Sequence, residues 1–452
     1  MAHSFKPRSP KRKEYVKKER TEVINKKNLM RFLALFAVGM AYGAVWNPVY
    51  IRYVFYDAML EVMGITNLQL ATLNTAFIVC SLFTQIPGGW VADRVGAKWC
   101  VGLSVIAEAP LCLLSILFPK VYVIQIIVFA LFGFTAGFAF WPAVLKAVRL
   151  AGTPEQASTN FGIFEAVQGL SGMVGNFIAI WVFSKFMDPV TAYKWALGSM
   201  AIWCVLGGAL MFFCYRQGTV TDDTITEKTT GEKKGAALKD TLAVLKMPGT
   251  WLVAFIVMAV YGIYVSQSYF TPYFTGVLGA SVVFSAAMSN FRTYGMKVIG
   301  GPCGSLFSNM LKSPSLLCGI VCIIILALVT YMSNLSAATP NVVMICSVLT
   351  MAIAFVMLCA KGVMWATMEE ARIPEAITGS TIAIASYIGI SLPDFSIAMI
   401  MGALLDKHAD NVAQAYSIFF LILQGLCIIG AVACAINYLR GRKAKRIAAE
   451  AN

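Results

Sequence analysis

Apolar residues along this chain gather into runs too long and too uniform for the faces of a soluble bundle. Roughly twenty apolar residues, at about 1.5 Å of rise each, cross the hydrocarbon layer of a bilayer. The pattern offers twelve such runs: 30–52, 66–88, 99–118, 121–145, 160–184, 191–214, 249–273, 282–307, 315–335, 341–366, 377–403 and 413–438. The longest polar stretch, Arg216 to Met247, separates the sixth run from the seventh and is dense in Asp, Glu, Lys and Thr. The pattern therefore predicts an all-α integral membrane protein of twelve transmembrane helices in two six-helix, pseudo-symmetric bundles. Its expected parts are a basic arm over 1–28, a first bundle over 29–215, a linker over 216–247, a second bundle over 248–439 and a basic tail over 440–452. Within the linker, Ala236 to Leu245 reads as a short surface helix.

Composition agrees with the pattern. The chain is 59% hydrophobic and 13% charged, about half the charged share of a soluble domain. Its net charge of +14 would suit nucleic acid, but the cations sit elsewhere. The N-terminal arm holds Lys6, Arg8, Lys11, Arg12, Lys13, Lys17, Lys18, Arg20, Lys26 and Lys27, and the tail holds Arg440, Arg442, Lys443, Lys445 and Arg446. Flanking the first and last runs, they fit the positive-inside bias and anionic lipid, and no nucleic-acid partner is expected. The loops that would share the side of the termini carry Arg94, Lys98, Lys146, Arg149, Lys312 and Arg372; the opposite loops carry fewer, chiefly Lys120, Lys185, Lys194 and Lys407. Both termini are thus expected in the cytoplasm, in a cell (inner or plasma) membrane. A polar arm with no cleavage pattern after the first run argues against a cleavable signal. The twelve cysteines have no metal-site spacing and read as small packing residues. No metal or other cofactor is expected.

Two features point to a family. Gly89, Asp93, Arg94, Gly96 and Lys98 fit G-x-x-x-D-R-x-G-x-K between the second and third runs. Here Gly89 allows close helix approach, Asp93 caps or pairs with a helix end, Gly96 permits the reversal, and Arg94 and Lys98 hold the turn on the cytoplasmic side. The halves also repeat. Tyr42-Gly43 matches Tyr261-Gly262 at an offset of 219, and Thr153-Pro154-Glu155 matches Ile373-Pro374-Glu375 at an offset of 220. A decayed copy of the loop runs from Gly301-Pro302-Cys303-Gly304 to Lys312, with Ser308 and Asn309 standing where Asp93 and Arg94 do. The loop resembles that between the second and third helices of the major facilitator superfamily. That resemblance implies parallel six-helix repeats around a midplane substrate site lined by spans 1, 4, 7 and 10. Gly133, Gly137, Trp141-Pro142, Lys146, Gly162 and Gly169 are similar to the organophosphate and organic-anion branch. The following loop departs from that branch, having Gly152-Thr153-Pro154-Glu155 in place of an aromatic-Pro and Glu-Arg-Gly run.

Ionisable groups inside a span are costly and mark candidate sites. Arg292 and Lys297 lie about sixteen and about eleven residues before the cytoplasmic end of span 8, near midplane. Both are candidate contacts for an anionic solute. Lys361 in span 10 stands, by the repeat offset, opposite Trp141 in span 4; its alternative is a gate pair with Glu369 or Glu370. Arg52 reads as an interfacial cation. The candidate proton carriers are Glu165, Asp394 and Glu108. Glu165 is expected to pair with Arg94, Lys146 or Arg149, and Asp394 with Arg292. His3 and His408 both fall outside the runs, which excludes a histidine relay. Tyr42, Trp46 and Asn47 in span 1, with Tyr261, Tyr264 and Gln267 in span 7, are candidate solute contacts; Tyr50 and Tyr273 read as an interfacial belt. Gly39/Gly43, Gly133/Gly137 and Gly300/Gly304 are expected only to permit close helix packing.

These residues predict a secondary active transporter for a small polar, anionic solute. It would work by alternating access as a monomer, with a co-transported proton or an exchanged anion. A neutral sugar or polyol carrier is the alternative if Arg292 and Lys297 are structurally paired, and a non-transporting sensor of the same fold is the next. No nucleotide loop, metal cluster or nucleophile triad suggests an enzyme or an ATP-driven pump.

Overall fold

The computed structural model describes residues 10–151, 157–215, 245–336, 338–373 and 378–450. The expected linker helix, the Thr153-Pro154-Glu155 and Pro374-Glu375 turns and the side chain of Asp93 lie outside the described residues.

All twelve runs form helices. Span 1 belongs to a helix from Pro10 to Val49; spans 2, 3, 5 and 6 are Asn67–Val95, Ala97–Leu117, Ala157–Phe183 and Pro189–Cys214. Span 4 joins Tyr122–Gly137 to Phe140–Leu150, and a short helix, Tyr56–Met63, lies between spans 1 and 2. In the second half, span 9 is Pro314–Ser333, span 10 begins with Val342–Val363, and span 12 runs within Val412–Glu450. Twelve crossings bring both termini to one face, here the termini face; the opposite one is the far face.

Local chemistry sets the ends. Thr66 and Gln69 form a reciprocal capping box at the start of span 2. Asp188, Ser281 and Ser313 cap spans 6, 8 and 9, and Pro189, Pro248 and Pro314 occupy first-turn positions where the missing N–H costs nothing. The reversal between spans 2 and 3 is one residue, Gly96, at φ 87° and ψ 151°. A side chain there would be strained, so the glycine of the motif is required by geometry.

Three spans of the second half are broken. Span 7 runs Pro248–Ser266, tightens into a 3-10 turn over Gln267–Tyr269, and resumes as Phe270–Gly276. Span 8 is Val282–Asn290, a π-helical turn over Phe291–Gly295, and Met296–Leu311. Span 11 repeats that design: Thr378–Ser386, a π turn over Tyr387–Ser391, and Leu392–Lys407. Such turns insert an extra residue and concentrate at functional positions.

Elsewhere glycines bring helices to backbone contact, as expected. A Cβ on Gly43 would meet the Gln168 carbonyl of span 5 at 2.5 Å, and one on Gly133 would meet the Phe77 carbonyl of span 2 at 2.2 Å. One on Gly304 would meet the Cys359 carbonyl of span 10 at 2.1 Å.

Candidate functional site

Two aromatic stripes face each other between the halves. On span 1, Tyr42, Trp46 and Tyr50 recur every four residues and therefore share a face. Tyr42 packs on Phe140 and Trp141 of span 4, both at 5.8 Å, and on Phe164 of span 5 at 5.2 Å. Trp46 stacks on Tyr50 at 5.4 Å and meets Phe77 edge-on. On span 7, Tyr261 and Tyr264 lie 5.4 Å apart. The Lys361 ammonium sits 3.8 Å from the centre of the Tyr264 ring and 5.9 Å from that of Tyr261. Lys361 thus stands against span 7 as Trp141 stands against span 1, the relation given by the repeat offset. Glu370, its expected alternative partner, instead accepts the Ser315 N–H at the start of span 9.

The remaining charges sort by depth and partner. The Lys297 ammonium donates to Gln168 Oε1 at 3.1 Å and lies 3.6 Å from Glu165, so spans 8 and 5 are ionically joined across the halves. The cation that reaches Glu165 here belongs to the other half, whereas the sequence suggested Arg94, Lys146 or Arg149. Both partners keep solvent access, Glu165 with 54% of its side chain exposed and Lys297 with 22%. Lys361 is partly exposed and has no ion pair among the described residues. Two lysines and one carboxylate leave a surplus positive charge at the centre.

Arg52 is not interfacial. It is 3% exposed, and its guanidinium lies 3.6 Å from Asp394, which also accepts from Asn74 at 3.4 Å. Asp394 therefore pairs with Arg52 of the other half, not with Arg292. Arg292 is fully buried and donates to the Gln267 carbonyl at 2.9 Å. Glu108, also buried, accepts from the Thr135 hydroxyl of span 4. Asn47 points away from the aromatic stripe, towards Gly175 of span 5, and both its polar side-chain atoms lack partners. The Gln267 amide is likewise buried and unpartnered. Tyr50 and Tyr273 belong to interior aromatic stacks rather than to a surface belt. In the motif loop, Arg94 is exposed and Lys98 lies over the Phe212 ring at 6.0 Å.

Beyond the sequence-predicted residues, a set of ties closes the far face. The carbonyl of Tyr53 accepts from the Thr271 hydroxyl at 2.7 Å and from Ser289. Thr275 donates to Asp57 at 2.5 Å, and Asn290 donates to the Met173 carbonyl at 2.9 Å. Asp406 accepts the backbone N–H groups of Asn67 and Leu68, each at 2.9 Å, and the Asn67 side chain at 2.8 Å. Of these groups Thr271, Ser289 and Asn290 are buried, and Asp57, Asn67, Thr275 and Asp406 are half-buried. Polar residues at helix ends on the far side were the available signal, but nothing in a linear pattern pairs residues over 100 positions apart.

Membrane-spanning helices in two repeated bundles around a central, partly exposed polar site define a transporter rather than an enzyme. The chain belongs to the Major Facilitator Superfamily, whose profile matches residues 29–431. Two Escherichia coli (strain K12) proteins are similar along most of its length. Inner membrane protein YqcE is 27% identical, over 89% of this chain and 93% of its own. Inner membrane protein YihN is 28% identical, over 95% of this chain and 100% of its own. Among solved structures, a bacterial homologue of the human lysosomal transporter Spinster, inward-facing and unoccupied, superposes with a TM-score of 0.64 at 16% identity, covering 91% of this chain and 97% of its own. The nucleoside transporter NupG gives 0.66 at 14%, covering 90% and 99%. The D-xylose-proton symporter gives 0.65 at 15%, covering 91% and 96%. At these identities the likeness is one of fold.

Proposed function

We propose that this chain moves a small anionic organic solute across the inner membrane by alternating access, with both termini in the cytoplasm and the far face closed in the state described. The observation that carries the reading is the surplus cation at the centre: Lys361 lies over Tyr264 without an ion pair, beside the Lys297–Glu165 bridge. An ammonium in a partly desolvated cavity favours a ligand that brings negative charge. The aromatic stripes of Tyr42, Trp46 and Tyr50 offer flat apolar contact for the organic body of the solute. Trp141 backs the stripe through Tyr42.

Glu165 is the coupling group in this scheme. A solute anion arriving at Lys297 competes with Glu165 for the ammonium. Asp394 and Glu108 are the less accessible acids, one held by Arg52 and the other by Thr135. The organic-anion branch is supported by Trp141, Pro142 and Lys146, and the inner membrane by the names of the two E. coli relatives.

The second reading, a neutral sugar or nucleoside-like solute, gains from the pairing of Lys297, which removes one free cation, and from the named activities of NupG and the xylose symporter. One experiment separates the two. Purified protein is screened by thermal shift against organic acids, phosphate esters, sugars and nucleosides, and the stabilising compound is then used for uptake in proteoliposomes. With an anion as ligand, Lys361→Met should lower uptake at least about tenfold while the protein still reaches the membrane. Glu165→Gln should abolish stimulation by an inward proton gradient. Stabilisation by neutral sugars alone, or full uptake in Lys361→Met, would remove the anionic reading.

A further inference from the structure

Span 8 presents Ser285, Ser289 and Arg292 along one face, at helical spacing. The face is turned into the closed junction: the Ser289 hydroxyl donates to the Tyr53 carbonyl, and Arg292 reaches the Gln267 carbonyl where span 7 is broken. Lys297 lies five residues further on, beyond the π turn over Phe291–Gly295, and reaches Gln168 and Glu165 of span 5 instead. The two cations therefore serve different places.

Arg292 is 0% exposed, and among the described residues only its Nη2 has a partner. Its Nε and Nη1 are unpartnered, and the guanidinium lies 5.4 Å from the centre of the Phe270 ring. The Gln267 amide has no partner at either end, and the Ser285 and Thr293 hydroxyls have none. No carboxylate pairs with Arg292 among the described residues, since the buried acid nearest in depth, Asp394, is held by Arg52. Arg52 and Asp394 neutralise each other, and the other acids of the far face, Asp57 and Asp406, are held by Thr275 and by the start of span 2, which leaves the Arg292 charge with two unmet donors. A buried, unpaired cation with orphaned donors is tolerated where something supplies the opposite charge.

We propose that Arg292, with the Gln267 amide and the Ser285 hydroxyl, forms a buried site for one monovalent anion of halide size, filled while the far face is closed. One surplus charge calls for one negative charge. The few donors, on a residue wholly sealed from solvent, suit a small ion better than a multivalent oxyanion. Opening the far face would separate span 8 from the Tyr53 segment and release the ion, so the anion favours the closed state.

The test needs no organic solute, so it stands or falls apart from the transport reading. Full-length protein in detergent and sodium gluconate is titrated with sodium chloride or bromide at constant ionic strength while thermal unfolding is followed. Both halides should raise Tm by at least about 2 °C and saturate, with sulfate inert. Arg292→Met should abolish the response. Gln267→Ala and Ser285→Ala, which keep the cation, should each weaken apparent halide affinity by about tenfold; these decide the matter if Arg292→Met does not fold. An indifferent wild type, a halide response surviving in Arg292→Met, or trimmed variants that titrate like wild type would each overturn the site.

Discussion

Asp57 shows how one side chain can make closure depend on pH. It lies on the short Tyr56–Met63 helix of the first half and accepts from Thr275 of the second at 2.5 Å. Burial pushes its carboxyl above the usual carboxylate range, and the Thr275 hydrogen bond offsets only part of that rise. The sign follows by linkage. A carboxyl raised in the folded state contributes stability that is fully present below its unfolded value, about 4, and lost as pH rises through the raised value. Thermal unfolding across that window should show a declining step in wild type and none in Asp57→Asn. Thr275→Val removes the donor that lowers the carboxyl, so its step should fall at higher pH; an unmoved step would show that Thr275 does not set it. Arg52 and Asp394 make the same kind of cross-half contact, and they mark a limit of reading by residue. Sequence placed both near a membrane boundary or core by depth, yet their partnership depends on how two bundles meet.

Most of the element pattern could be read in advance, because lipid imposes it: a bilayer demands runs of fixed length, and hydropathy displays them. The breaks in spans 7, 8 and 11 were invisible for the same reason. A π or 3-10 turn over Phe291–Gly295 or Gln267–Tyr269 leaves the hydropathy of the run unchanged. The helix contacts made by glycine were legible, and they give a paired prediction on span 8. A methyl on Gly304 would lie 2.1 Å from the Cys359 carbonyl, a backbone atom that cannot swing aside, whereas one on Gly301 would meet nothing within 4 Å. Gly304→Ala should therefore separate spans 8 and 10 at a cost of about 1–3 kcal/mol or more. Gly301→Ala should be neutral or slightly stabilising, since alanine favours helix by up to about 1 kcal/mol. Denaturation midpoints of the two variants in one detergent check this; equal losses would mean that the close approach at Gly304 is not maintained.

At the scale of the molecule, the two halves are fastened at the far face by ties of different chemistry, and Asp406 is the one that acts on a helix end. Its carboxylate, from span 11, accepts the first backbone N–H groups of span 2, where the orphaned donors and the positive end of the helix dipole favour an anion. Nothing in the hydropathy pattern singles out Asp406, which lies just past the eleventh run, next to Lys407. Because closure moves rigid bundles, these ties should rise and fall together, and loss of one should shift the whole equilibrium. Asp406→Ala removes charge-assisted bonds worth about 2 kcal/mol after solvent screening, or about thirtyfold in the closed-to-open ratio. Hydrogen exchange distinguishes a local effect from this global one. Asn67 and Leu68 lose protection directly because their partner is gone. If closure is cooperative, Tyr53 to Met59 and Phe270 to Gly276, which Asp406 does not bond, should lose protection as well. Asp410→Ala, at an exposed position on the same face, should change neither region. Loss of protection confined to Asn67 and Leu68 would mean that Asp406 caps span 2 without governing the gate.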